Sequence, residues 1–301
     1  MKHIFLRTLE TTLKKVSIVI ALIIGVGIGV VLNKTVFTKT GQAYNECLNN
    51  LLMMQHLMVF FGIDGIMLMC FTAGSSSGLI ASETHEGTFR LLAAKPNSRT
   101  TILTAKILGN ITGLTVLMLL SLLGYYSTIV LTARIDGNLI KELIKYLPSY
   151  ILYGLLIIFV FSSVSTLLSC ACKKKITALL PVLVVMIVAM GFFPIMRIVK
   201  ELTGSTDNTM LNMVDINYHL ALLFKQCTSL VGKIQGSQIM GYLTNLFSQQ
   251  KLDLDIVRNA STTAKWLENK SLSAPITTLV YLLVATGCYY WSYIIINKKD
   301  I

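Results

Sequence analysis

Residues 82–109, SETHEGTFRLLAAKPNSRTTILTAKILG, form a polar and basic island between two of the longest apolar runs in the chain. Ser82 and Thr84 suit a helix start, and Glu83 and Glu86 fall where the positive end of a helix dipole favours acids. Phe89, Leu92 and Ala93 recur at i, i+3 and i+4, giving a short helix over residues 84–94 a small apolar face. Pro96-Asn97-Ser98 stops that helix, because proline has no N–H and biases the residue before it towards extended backbone. Arg90, Lys95, Arg99 and Lys106 add four positive charges, the mark of a cytoplasmic loop. The island therefore reads as a short amphipathic helix below a membrane, joined to a long helix at either end.

Composition supports a membrane setting. The 301 residues are 54% hydrophobic and only 13% charged, with a mean hydropathy of +0.69; soluble domains carry about 25% charged residues. The formal net charge of +12 could point to nucleic acid, but the lysines and arginines flank apolar runs instead of interleaving with aromatics in a patch. Membrane topology accounts for them, and the partner they imply is the lipid bilayer.

Working outward from the island gives an all-α membrane protein, a single transmembrane domain over residues 1–301 with six transmembrane helices. The spans fall at about 16–32, 51–81, 102–131, 148–170, 176–195 and 274–296, with the loop at 82–101 between the second and third. Residues 1–15 hold Lys2, Arg7, Lys14 and Lys15 beside an apolar face of Ile4, Phe5, Leu9 and Leu13, which reads as an interfacial helix. The second span has thirty-one residues, roughly 46 Å of helix against a hydrocarbon core of ~30 Å. It must tilt, kink or protrude, and Gly74-Ser75-Ser76-Ser77-Gly78 offers a hinge near its inner end. Gly25 and Gly29 give the first span a small-xxx-small face that serves either contact within the chain or dimerisation. Pro148 suits the first turn of the fourth span, and the fifth contains Pro181 and Pro194.

Residues 197–273 form the longest polar segment, and apolar spacing over 220–224 and 240–247 predicts short external helices there. Tyr281, Tyr289, Tyr290, Trp291 and Tyr293 cluster towards one end of the last span, as in an interfacial aromatic belt. The proposed inner segments carry thirteen lysines and arginines against five in the two short outer ones, which puts both termini inside. Cys170 and Cys172 precede Lys173-Lys174-Lys175 on the inner side, while Cys47 and Cys227 both fall outside, leaving a disulfide between them open. Asp64 lies within the second span, with His56 two turns earlier. An acid there is expensive to insert, so it faces either a substrate or cation path or a hydrogen-bonded bundle interior.

Several chemistries are missing. There is no G-x-x-x-x-G-K-[ST] phosphate loop, no H-E-x-x-H, no G-x-S-x-G, and no paired aspartates to hold magnesium and a diphosphate. No metal site or cofactor of the chain's own is expected, and work against a gradient would draw on another subunit or an ion flow.

The order Glu83, Glu86-Gly87-Thr88, Leu91-Leu92, Lys95-Pro96, Arg99 and Lys106 resembles the loop after the second span of ABC type-2 permeases, which reads approximately E-x-x-x-G-T-x-x-x-L-x-x-x-P-x-x-R before a lysine in the third span. Outside this loop the resemblance is one of hydropathy. It implies a cytoplasmic coupling helix seated on an ATP-binding cassette subunit, with Phe89 and Leu92 as apolar anchors and Arg90 or Glu86 as polar contacts. It also implies a second permease half, identical or related, external helices between spans five and six, and ATP and magnesium held by the partner rather than by this chain. The activity implied is ATP-driven export of a hydrophobic or amphipathic substrate such as a peptide, antibiotic or lipid across the cytoplasmic membrane. The same fold also serves antimicrobial-peptide immunity or sensing, and sodium export. A secondary transporter is disfavoured by the lack of an internal repeat.

Overall fold

The computed structural model describes residues 1–37, 44–89, 98–132, 137–202, 209–234, 237–249, 266–269 and 271–298. The chain begins with α1 (Lys2–Thr12), α2 (Lys15–Phe37), α3 (Tyr44–Leu57), a π-helical stretch Met58–Met67, α4 (Leu68–Ser76) and α5 (Ala81–His85). After the loop come α6 (Arg99–Thr132), α7 (Gly137–Ile144), α8 (Leu147–Ala171), α9 (Lys175–Ile187), a second π-helical turn Val188–Phe192 and α10 (Phe193–Leu202). Then follow α11 (Thr209–Val214), α12 (Ile216–Thr228), α13 (Gln238–Thr244), strands β1 (Phe247–Gln249) and β2 (Trp266–Glu268), and α14 (Ala274–Lys298).

Among the described residues, six helical stretches are long and apolar enough to cross a membrane: Lys15–Asn33, Leu48–His85, Arg99–Thr132, Gly137–Ala171, Lys175–Lys200 and Ala274–Lys298. They leave Ile23, Leu123 and Leu283 among many exposed apolar side chains, an arrangement that lipid accommodates and water penalises. Among the described residues the architecture is all-α apart from one three-residue antiparallel pair, in which Ser248 faces Leu267.

The chain divides into two compact units, Met1–Met186 with Val280–Ile301, and Ile187–Leu279. In the first unit α2 lies directly on α6. A Cβ added at Gly25 would run into the carbonyl oxygen of Ser121, and one at Gly29 would come within 2.8 Å of the Thr128 Cβ. Both glycines are therefore used for close contact inside the chain, which decides between the two uses the sequence left open. α1 packs on α6 in the same manner, with Gly109 against the Phe5 carbonyl and Gly113 against Thr12. Pro148 sits in the first turn of α8, where its missing N–H costs nothing. The stretch before it, expected as a plain connection, contains α7, whose Leu139 and Leu143 are buried.

The second unit is organised by Arg197. Its Nε donates to Asp215 Oδ2 at 3.0 Å and its Nη2 donates to the same oxygen. Nη2 also reaches Asn217 Oδ1 at 3.0 Å, while Nη1 donates to the carbonyls of Tyr242 at 3.1 Å and Leu243 at 2.8 Å. One guanidinium thus ties α10, α12 and α13 together. Asp215 is fully buried and also caps α12, accepting from the Tyr218 N–H at 3.0 Å. The expected helix over 240–247 ends early: Asn245 adopts the left-handed region at φ 57°, closing α13 with its N–H on the Gly241 carbonyl, and Phe247 enters β1. Pro194 has no N–H for the helix ladder, and the wide turn Val188–Phe192 stands immediately before it. Cys227 is buried in α12, and the side chain of Cys47 lies outside the described residues.

Replacing Arg197 with Met leaves the Asp215 carboxylate buried without its cation, so it should cost about 3–5 kcal/mol in denaturant or thermal unfolding of the purified protein. Adding Asp215→Asn, which keeps an oxygen for the α12 cap and removes the charge, should recover ~1 kcal/mol or more of that loss.

Candidate functional site

The motif-bearing loop is fastened to the bundle at its base. After α4 the chain turns through residues 77–80 into α5, and the N–H groups of Ile80 and Ala81 both donate to Ser169 Oγ of α8 at 3.0 Å. A hydroxyl from a neighbouring helix thus performs the capping expected of Ser82 and Thr84. Those two lie inside α5 and bond back one turn, Ser82 to the Gly78 carbonyl and Thr84 to the Ile80 carbonyl. Glu83, in the first turn of α5, forms an ion pair with Lys106 of α6. Lys106 is buried and donates a second bond to the Leu79 carbonyl at 2.7 Å.

Glu86 and Gly87 are exposed, and Gly87 has φ +73°, a backbone that glycine adopts without strain. Here the expected continuous helix over 84–94 is broken: α5 stops at His85, and helical backbone resumes at Thr88 and Phe89. Thr88 reaches back to the Glu83 carbonyl at 3.4 Å. Phe89 is 1% exposed and packs among Leu79, Ile80, Ile102, Leu103, Ile107, Cys170 and Ile296. It anchors the loop to its own bundle, which corrects the expectation that it projects into a partner's groove. Arg90, Leu91, Leu92, Lys95 and Pro96 lie outside the described residues.

Beyond the loop, Ser98 Oγ accepts from the Thr101 N–H at 3.2 Å and so caps α6. Arg99 Nη1 lies 3.4 Å from the Ile296 carbonyl and 3.3 Å from that of Asn297, so a cation meets the negative end of α14. Thr104 bonds the Tyr293 hydroxyl at 2.9 Å. One turn deeper runs a polar chain invisible to motif reading. Thr12 donates to Asn110 Oδ1 at 3.1 Å, Asn110 Nδ2 to Ser76 Oγ at 2.8 Å, and Ser76 to Ser162 Oγ at 3.2 Å. Those four residues join α1, α6, α4 and α8. Their only signal in the sequence is a polar side chain inside an apolar run.

The second candidate cluster lies further along the bundle. Asp64 sits in the π-helical stretch Met58–Met67, fully buried, and neither carboxyl oxygen has a hydrogen-bond donor among the described residues. A Cβ added at Gly154 of α8 would come within 3.0 Å of Asp64 Oδ1, so the glycine makes room for the carboxyl. His56 Nδ1 is 2.7 Å from the Tyr150 hydroxyl, and its ring meets that of Tyr146 edge-on at 4.8 Å. Gln55 Nε2 donates to the Tyr126 hydroxyl at 2.7 Å and to the Leu143 carbonyl at 3.0 Å. No hydrogen bond joins His56 to Asp64; Tyr125 and Tyr126 of α6 and Tyr150 and Tyr153 of α8 are buried as they are. A buried polar group left unbonded costs several kcal/mol on the order given by transfer data, and π-helical turns recur at functional sites.

Six candidate spans and a loop clamped between two of them define a multi-pass membrane protein. Residues 14–300 match the family described as ABC-2 family transporter protein, and the chain belongs to that family. A search of curated proteins found no match. The family is that of the membrane component of ABC transporters, which gives an ABC permease whose ATP-binding partner is a separate subunit.

Lys106→Met and Glu83→Gln should each loosen the loop base, with a double-mutant cycle on unfolding giving a coupling of roughly 1–3 kcal/mol. The exposed Lys145–Glu142 pair, 3.7 Å apart, serves as the contrast, and a cycle there should give less than about 0.5 kcal/mol.

Proposed function

We propose that this chain is the membrane-spanning subunit of an ATP-driven exporter that moves a hydrophobic or amphipathic substrate outward across the cytoplasmic membrane. Two permease halves, identical or related, pair in the bilayer, both termini face the cytoplasm, and each half docks an ATP-binding subunit that holds ATP and magnesium. The observation that carries the reading is the clamped base of the loop. Lys106–Glu83, Ser169 and the buried Phe89 tie residues 79–89 to α6 and α8, so a push on the exposed Glu86-Gly87 turn passes to the spans instead of being absorbed by a slack connection. Glu86 and Thr88 belong to the surface offered to the partner, and Arg99 and Lys106 form its footing.

A second reading has its own support. The fully buried Asp64, with no donor for either oxygen among the described residues, suits a cation path, and makes sodium the alternative cargo. The immunity or sensing role shares the fold and differs in the cargo bound.

Gentle isolation of this chain with its neighbours should bring down an ATPase, and that ATPase should be stimulated by an amphipathic peptide, antibiotic or lipid. Stimulation by sodium instead would favour the second reading. Asp64→Asn should abolish sodium-dependent stimulation and leave stimulation by amphiphiles unchanged. In intact cells Thr88→Cys should resist a membrane-impermeant thiol reagent and react once the membrane is opened; labelling from outside would reverse the topology and defeat the proposal.

A further inference from the structure

Beside the loop base lies an open cavity of about 650 Å³, lined by α1, α4, α5, α6, Ser17 of α2 and the first residue of α9. Its rim carries Arg7, Lys14 and Lys175, and Glu86 is the acid that opposes them, since Glu83 is already paired with Lys106. None of the three cations has an ion-pair partner within 4.0 Å among the described residues. The aliphatic stem of Lys175 lies over Gly78, its Cδ and Cε 3.3 and 3.4 Å from where a Cβ would stand, so the glycine leaves room for that side chain at the cavity wall. The hydroxyls of Thr11 and Ser75 line the same space.

A second, independent feature adjoins it. An apolar groove of about 360 Å³ runs between α2 and the π-helical stretch, and its residues Cys70 and Phe71 also line the basic cavity. Ile20 and Ile66 flank this groove and are exposed. A cationic chamber that shares Cys70 and Phe71 with an apolar trough on a spanning helix has the polarity of a single molecule with an anionic head and an alkyl tail.

We propose that cavity and groove together form one binding site for an anionic phospholipid, its phosphate held by Arg7, Lys14 and Lys175 and one acyl chain laid along Ile20 and Ile66. Basic pockets between spanning helices on the cytoplasmic side recognise headgroups in this way. The inner leaflet as source rests on the orientation given under the proposed function; the site itself does not. Ser82 and Glu83 of the loop base line the same cavity.

The test uses the full chain in detergent, read by native mass spectrometry and thermal unfolding, with phosphatidylglycerol, phosphatidylcholine of the same chains, and inorganic phosphate as probes. The wild type should retain phosphatidylglycerol over phosphatidylcholine and melt at a higher temperature with it. Arg7→Gln with Lys175→Gln should weaken phosphatidylglycerol about fivefold or more per charge removed and weaken phosphatidylcholine, whose choline offsets the charge of the same phosphate, less. Ile66→Gln should weaken both lipids. Equal retention of the two lipids by the wild type, or an unchanged preference in the double variant, would overturn the proposal. Protection by inorganic phosphate equal to that by phosphatidylglycerol would do so too, since it removes the tail. No ATPase is needed for any of these readings, so a failed copurification leaves this site standing, and a failed lipid preference leaves the exporter reading untouched.

Discussion

Lys106 carries a charged group into a helix bundle whose outer faces are apolar, and the rest of the loop end is arranged around satisfying it. Its ammonium is shared between the Glu83 carboxylate and the Leu79 carbonyl, and both acceptors belong to the short path that leaves α4. A lysine in that position without them would pull towards water and take α6 with it. Because the pair is largely desolvated, breaking it is far more expensive than breaking a surface pair, which gives residues 79–89 one preferred position. Ser169 and Phe89 then complete the fixation with a cap and an apolar plug.

The same rule governs both units. Where a cation enters the interior it is met by several acceptors, as the five donations of Arg197 show. The carboxyl of Asp64 is a buried acid with neither a hydrogen bond nor an ion pair among the described residues, and that is the ground for treating it as functional. Within the bundle, close approach is made by removing side chains. Gly25, Gly29, Gly109 and Gly113 let three helices lie backbone to side chain, so that van der Waals contact replaces the hydrophobic drive that lipid cannot supply.

Much of this was legible in the sequence. Uninterrupted apolar length reveals spans, because a helix in hydrocarbon must satisfy its own backbone and cover about 30 Å. The motif residues Glu83 and Lys106 were readable as a family pattern, but their pairing was not, since twenty-three positions separate them and nothing local reports a tertiary bond. Phe89 was misjudged for a related reason: apolar spacing shows that a face is apolar without saying which neighbour covers it. The Ser169 cap and the chain from Thr12 to Ser162 were hidden because serine and threonine in a spanning helix usually bond their own preceding turn, as Thr72 does. The strand pair and Asn245 escaped because a left-handed cap ends a helix whose apolar spacing runs on past it.

The π-helical stretch from Met58 to Met67 has a consequence for every wheel drawn along residues 48–85. An α-helix advances about 100° per residue, and a π-helix closes its bonds one residue further on and so advances less. Over ten residues that lag accumulates, and the azimuth of α4 is offset from the one α3 would project. The stripe that Gln55 and His56 begin is therefore not the stripe on which Ser76 ends, and a single continuous sector of this helix can address different neighbours at its two ends without any bend in its axis.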